Sequence, residues 1–240
     1  MGGCGASRTI FRSKSPGALT GLARDLVAKD LACRRGERLV FAGLSFRLSA
    51  GEALLLTGAN GSGKTSLLRV LATLIPPAGG RLFWSTVPIE ADIAAYRAAL
   101  HYVGHQDGVK PGLTPRETLA FWVALRGLGA GRASLLLDEA LGAFALETVA
   151  DWPCRWLSAG QRRRLALARL VSSPAPIWLL DEPTSALDRD SQLRLERAIV
   201  SHRASGGGVV VASHTPIDIP AAAVVSLETF AALPDHATVG

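Results

Sequence analysis

The residues best suited to chemistry form one run, Gly58-Ala59-Asn60-Gly61-Ser62-Gly63-Lys64-Thr65, with Ser66 beside it. The run fits G-x-x-x-x-G-K-[ST] and lies between a stretch that reads as a strand and one that reads as a helix. Glycines let the backbone curl so that its N–H groups point inward at phosphate oxygens. The helix N-terminus adds a positive partial charge. Lys64 is placed to reach the outer phosphates, and the Thr65 hydroxyl is a ligand for Mg2+. A second run, Ile177-Trp178-Leu179-Leu180-Asp181-Glu182, is an apolar strand that delivers two acids at its C-terminal end. Ligands of open parallel sheets collect there. Asp181 is suited to hold Mg2+, through water. Glu182 is suited to orient and activate an attacking water as a general base. The two runs predict the phosphates of a nucleotide and Mg2+ as the ligands, and phosphate chemistry as the activity.

A third run, Leu157-Ser158-Ala159-Gly160-Gln161, precedes a basic stretch and comes shortly before the acidic strand. Alone it is a serine-capped helix start. In this order it resembles the signature of the ATP-binding-cassette family, usually Leu-Ser-Gly-Gly-Gln, with Ala159 where the first glycine is usual. The resemblance covers about residues 26–225. It implies an α/β fold: a P-loop nucleotide-binding core of ATP-binding-cassette type, with an antiparallel β subdomain and a helical insertion over about residues 107–155. It also implies a homodimer, in which Ser158, Gly160 and Gln161 of one subunit close over the γ-phosphate held by the other. Gln106 resembles the glutamine that links Mg2+ and the attacking water to the helical subdomain. His214 resembles the switch histidine at the γ-phosphate, and Ser185-Ala186-Leu187-Asp188 resembles the loop that crosses the dimer interface. The signature and Gln106 disfavour a simple nucleotide kinase or GTPase. Where the family usually stacks an aromatic residue on adenine, this chain has Arg35, whose guanidinium can also stack on a base. Arg162, Arg163 and Arg164 read as a solvated helix face.

A narrower resemblance lies inside the first. Gly104-His105-Gln106-Asp107-Gly108-Val109-Lys110, the segment Leu113 to Trp122, Pro153-Cys154-Arg155-Trp156 with the Ala-containing signature, and the compact C-terminus after His214 are similar to the haem-exporter ATP-binding subunit of cytochrome c maturation. That likeness implies an ATP hydrolase coupled to transport, held peripherally at the cytoplasmic face of a bacterial inner membrane by integral membrane subunits. Haem is then handled by those partners, and His101, His105 and Cys154 need no haem role. Two other classes stay open: the ATPase of a lipid or lipoprotein exporter, and a soluble cassette ATPase. Against the soluble class, there is no long heptad insertion between the P-loop and the signature, and one cassette only; no nucleic-acid partner is expected.

Strands must present these residues. Leu39-Val40-Phe41, Leu44-Ser45-Phe46, Ala53 to Leu56, Leu82-Phe83-Trp84 and Leu100 to Val103 alternate or run apolar. Lys64 to Leu74 reads as a helix, with Leu67, Leu68, Leu71 and Leu74 on one face and Pro76-Pro77 beyond it. Thr114-Pro115-Arg116-Glu117 reads as a capped helix start opening an Ala- and Leu-rich helical region. Strand, helix and strand then return at Ile177 to Leu180, Ser191 to Ser201 and Val209 to Ala212, which is the alternation of an α/β core.

Composition agrees. Of 240 residues 48% are hydrophobic, enough for a substantial core, and 19% are charged with no long single-sign run. The net charge of +6 allows nucleic acid, a membrane surface or nucleotide phosphate as partner without choosing among them. A long uncharged stretch, Ala204 to Ile217, is broken by glycines and a proline and falls short of the roughly 18 apolar residues of a membrane span. Cys4, Cys33 and Cys154 form no CxxC pair, so neither a disulfide framework nor a zinc site is indicated, and a reducing compartment fits. Residues 1–25 read as a flexible basic leader or an over-called start, and residues 226–240 as a short tail.

Overall fold

The computed structural model of the chain describes residues 8–9, 25–127 and 130–231. In chain order the strands are β1 (Arg8–Thr9), β2 (Leu26–Arg35), β3 (Arg38–Leu48), β4 (Ala53–Thr57), β5 (Gly79–Trp84), β6 (Val87–Pro88), β7 (Leu100–Val103), β8 (Ile177–Asp181), β9 (Gly208–Ala212) and β10 (Ala223–Ser226). The α-helices are α1 (Lys64–Leu71), α2 (Ile93–Ala98), α3 (Pro115–Leu125), α4 (Ala130–Ala143), α5 (Ala159–Ser172) and α6 (Arg189–Ala204). One sheet runs β1-β3-β2-β5-β6, antiparallel except where β1 lies parallel to β3. The other runs β10-β4-β9-β8-β7 and is parallel throughout.

The parallel sheet is covered on both faces, so β8 and β9 are buried along their whole length. Their residues divide by period two. Ile177, Leu179, Val210 and Ala212 join the cluster made with α1 and the antiparallel sheet. Trp178, Leu180, Val209 and Val211 join the cluster made with Leu119, Phe144, Leu165 and Leu167 of the helical region. In register, Leu56 and Asp181 both lie opposite Ala212. The loops leaving β4, β8 and β9 therefore emerge side by side, and this alignment builds the site.

Two local expectations shift. Helix α1 stops at Leu71 rather than Leu74, because Thr73 takes a left-handed φ of 57° and the Leu74 N–H turns back to the Arg69 carbonyl. Leu74 is then 58% exposed instead of packed. Helix α6 is longer than expected at both ends, capped by the Asp188 side chain accepting from the Ser191 N–H. The start of α3 is as expected: Thr114 and Glu117 form a reciprocal capping box, with Pro115 at the first helical position. Of the leader over residues 1–25, Arg8 and Thr9 pair with Leu44 and Ser45, and Asp25 lies beside Arg47. The remainder lies outside the described residues. Of the tail, residues 226–231 are described and include a 3-10 turn at Leu227–Phe230.

Two histidines, His101 buried and His202 half-buried, give the fold a pH dependence. His101 on β7 faces the carbonyl and hydroxyl of Ser173, and burial, with Arg126 and Arg169 nearby, pushes its pKa down to about 3. His202 stacks on Trp178 at 3.9 Å between ring centroids, and burial lowers its pKa to about 4. The folded state thus favours both rings neutral. Their stabilising contribution is complete above the unfolded value of about 6.5 and is lost as pH falls toward those folded values. Each ring costs about 1.4 kcal/mol per pH unit in that window. Thermal denaturation should show a clear drop in midpoint between pH 7 and pH 5, and His101→Gln should flatten that slope. An unchanged slope in the variant would show that His101 is not the titrating group.

Candidate active site

The loop between β4 and α1 is shaped by contacts from the antiparallel sheet. Gly63 has a φ of 105°, and a Cβ there would lie 2.7 Å from the Val40 Cγ1 on β3. Gly58 has a φ of 134°, and its Cβ would lie 2.8 Å from the Ser62 Oγ. Only glycine fits either position. The Lys64 side chain is buried and folds back across the loop, donating to the Gly58 carbonyl at 2.7 Å and the Ala59 carbonyl at 3.2 Å. The Ala59 N–H donates to the Glu228 Oε1 at 2.8 Å, which fixes the outer turn of the loop. The Ser62 Oγ is buried without a hydrogen-bond partner among the described residues.

The acids sit where β8 ends. Thr65 Oγ1 donates to the Asp181 Oδ1 at 2.9 Å, and the Tyr102 hydroxyl donates to the Oδ2 at 3.3 Å. Glu182 takes a left-handed φ of 48°, an uncommon conformation for a side-chain-bearing residue. Its Oε2 accepts from the His214 N–H at 3.2 Å and lies 2.7 Å from the His214 Nδ1. Asn60, Lys64, Thr65, Asp181, Glu182 and His214 line one cavity of about 380 Å3. Gly61, Gly63 and Ser66 also line it, and Arg35, Val40 and His105 complete its wall. Gln106 follows His105 but is exposed and stands outside that wall. A larger cavity of about 510 Å3, among α4, α5 and α6, contains none of these residues.

The signature residues are not at this chain's own cavity. Ser158 caps α5: its Oγ accepts from the Gln161 N–H at 3.1 Å, and Gln161 Oε1 accepts from the Ser158 N–H at 2.8 Å. Gly160 faces the Ser185 to Asp188 loop so closely that a Cβ would lie 3.2 Å from the Ala186 carbonyl.

The arginine triplet departs from the solvated face expected of it. Arg163 is 2% exposed. Its Nε donates to the Pro183 carbonyl at 3.2 Å, and its Nη1 to the Gly104 carbonyl at 2.8 Å and the Asp107 Oδ1 at 3.2 Å. Its Nη2 donates to the carbonyls of Asp181 at 3.2 Å and Glu182 at 2.6 Å. Arg162 and Arg164 are half-buried, on the carbonyl of Leu157 and on those of Phe144 and Ala145 beyond α4. Helical spacing carried the signal: Arg163 shares a stripe with Leu167 and Leu170, both buried. Tyr102 and Glu228 had no signal of their own, because their partners come from distant strands.

The comparisons with known proteins follow the same lines. A family model described as ABC transporter matches residues 41–185. The chain is 56% identical over 209 residues to the cytochrome c biogenesis ATP-binding export protein CcmA of Rhodospirillum rubrum, covering 87% of this chain and 88% of that protein. It is 52% identical to the protein of the same name from Paramagnetospirillum magneticum, covering 85% and 94%. Among solved structures, a putative ABC transporter ATP-binding protein from Pyrococcus furiosus superposes with a TM-score of 0.75 at 22% identity, covering 87% of this chain and 100% of that one. A dimeric post-hydrolysis state of an ATP-binding cassette bound to ADP and Pi superposes with a TM-score of 0.71 at 24% identity, covering 79% and 88%. These two show likeness of fold.

Proposed function

This chain belongs to the ABC transporter family, and from that premise we propose that it is the ATP-hydrolysing subunit of a membrane complex that exports haem for c-type cytochrome biogenesis. The observation that carries the reading is its likeness, over nearly their full length, to proteins named for that export role. The site supplies the chemistry. The loop curls through the positive φ of Gly58, Gly61 and Gly63, the first and last of which have no room for a Cβ, and the Ser62 Oγ is a buried polar atom with no partner among the described residues, so the loop fits a chain of phosphates. Thr65 and Asp181 offer the hydroxyl and carboxylate that suit Mg2+, which when bound neutralises phosphate charge.

In this reading Lys64 exchanges the Gly58 and Ala59 carbonyls for the outer phosphates. Glu182 accepts the proton of the attacking water, and His214 orients the Glu182 carboxylate and contacts the γ-phosphate. Gln106, exposed beside His105 of the cavity wall, would link the water and metal site to the helical region. Arg35 and Val40 border the base.

Ser158, Gly160 and Gln161 serve a second copy of the chain. The Ser158 oxygen accepts from the Gln161 N–H, which leaves its O–H to donate to the partner's γ-phosphate. Among the described residues no helix is long and apolar enough to cross a membrane. Attachment to the cytoplasmic face of the inner membrane then comes from integral membrane subunits, which handle the haem. The helical region over about residues 107–155 is the docking surface, and it carries exposed Phe121, Leu125, Trp152 and, just beyond it, Trp156. Affinity purification of the tagged chain from detergent-solubilised membranes should recover those integral subunits. Recovery with soluble partners or nucleic acid alone would contradict the assignment.

A further inference from the structure

We propose that Arg163 is the positioning residue that couples the two nucleotide sites of an ATP-closed pair of chains, by fixing the signature helix of each chain to that chain's own catalytic acids. The inference rests on the closed pair described under the proposed function. Arg163 lies on α5, little more than a turn beyond the Ser158 cap. Its guanidinium carries five N–H donors in a rigid planar fork, and all are engaged. Three acceptors are the consecutive carbonyls of Asp181, Glu182 and Pro183, the backbone that carries the acids. The other two, the Gly104 carbonyl and the Asp107 carboxylate, flank Gln106 on either side.

The consequence is mechanical. Glu182 holds a left-handed φ, with its N–H on the Ala212 carbonyl at 2.8 Å and its carbonyl on Arg163 at 2.6 Å. Its geometry is thus clamped between β9 and α5. The N-terminus of α5 faces the partner's nucleotide in the closed pair. A shift of α5 on engaging that nucleotide is transmitted through Arg163 to Glu182 and to the Gln106 segment of the same chain. Each site then reaches its hydrolytic geometry only when the other is filled. Lysine cannot replace this residue, since an ammonium offers three donors from one point and cannot reach five diverging acceptors.

The test uses the complex purified with its membrane subunits, and the isolated chain for mass measurement. Arg163→Lys should bind ATP with affinity within about 2-fold of the parent, because the phosphate loop is untouched. Turnover should fall about 10-fold or more, since misplacing catalytic groups by ~1 Å costs on the order of 100-fold. The Hill coefficient for ATP should fall to about 1. In a Glu182→Gln background, the ATP concentration that drives dimerisation, followed by light scattering, should rise. A merely structural arginine would lower the melting temperature and leave the Hill coefficient where it was. If Arg163→Lys keeps both turnover and cooperativity, the coupling role is overturned. If Glu182→Gln alone fails to dimerise with ATP, the closed pair itself is wrong and the inference falls with it. Should Arg163→Lys not fold, Asp107→Asn removes one acceptor's charge and decides the matter: reduced cooperativity supports the coupling, and unchanged cooperativity overturns it.

Discussion

Glu182→Gln should bind ATP as the parent does and hydrolyse it about 100-fold more slowly or worse, the loss expected when a general base is removed. The substitution keeps the shape of the side chain. It leaves Lys64 on its loop carbonyls and the Thr65 hydroxyl on Asp181, so the groups proposed to hold phosphate and metal are intact. It removes the carboxylate that lies 2.7 Å from the His214 Nδ1 and accepts from the His214 N–H. An amide oxygen can still accept from that N–H, which preserves the local fold. It cannot take up a proton from water near neutral pH, and that is the step at issue. Steady-state ATPase activity of the reconstituted complex within a few-fold of the parent would remove Glu182 from this role.

What the sequence disclosed follows from the range of each interaction. The phosphate loop was legible because its requirements are local: glycines at fixed offsets, a lysine and a hydroxyl at the start of a helix. The apolar strand ending in Asp181 and Glu182 was legible for the same reason. Tyr102 was not, because its bond to Asp181 exists only once β7 lies parallel to β8, with Val103 opposite Leu180. Glu228 reaches the Ala59 N–H across 169 positions of chain, again through sheet pairing. Arg163 was masked by its neighbours, since a charged triplet reads as a solvated face unless helical phase is counted against Leu167 and Leu170. The end of α1 turned on the backbone of Thr73, whose left-handed conformation its residue type does not announce. Ser158 is a helix cap in this chain, and the phosphate role proposed for it needs a second copy to exist at all.

Lys64→Ala carries the second large effect. It removes the buried ammonium that the loop folds around and leaves the Gly58 and Ala59 carbonyls without that donor. Hydrogen bonds to charged groups contribute about 1.5–3 kcal/mol each, so ATP affinity by calorimetry should fall tenfold or more. Hydrolysis should fall with it. Equal affinity in parent and variant would mean that Lys64 does not hold phosphate. In cells the variant separates the chemistry from the cargo. A strain carrying Lys64→Ala in place of the parent chain retains the protein but cannot drive export. Haem staining of covalently bound cytochromes, alongside difference spectra of the b-type pool, measures the outcome directly. The account predicts that c-type cytochromes disappear while b-type haem proteins remain; a normal complement of c-type cytochromes in that strain would contradict it.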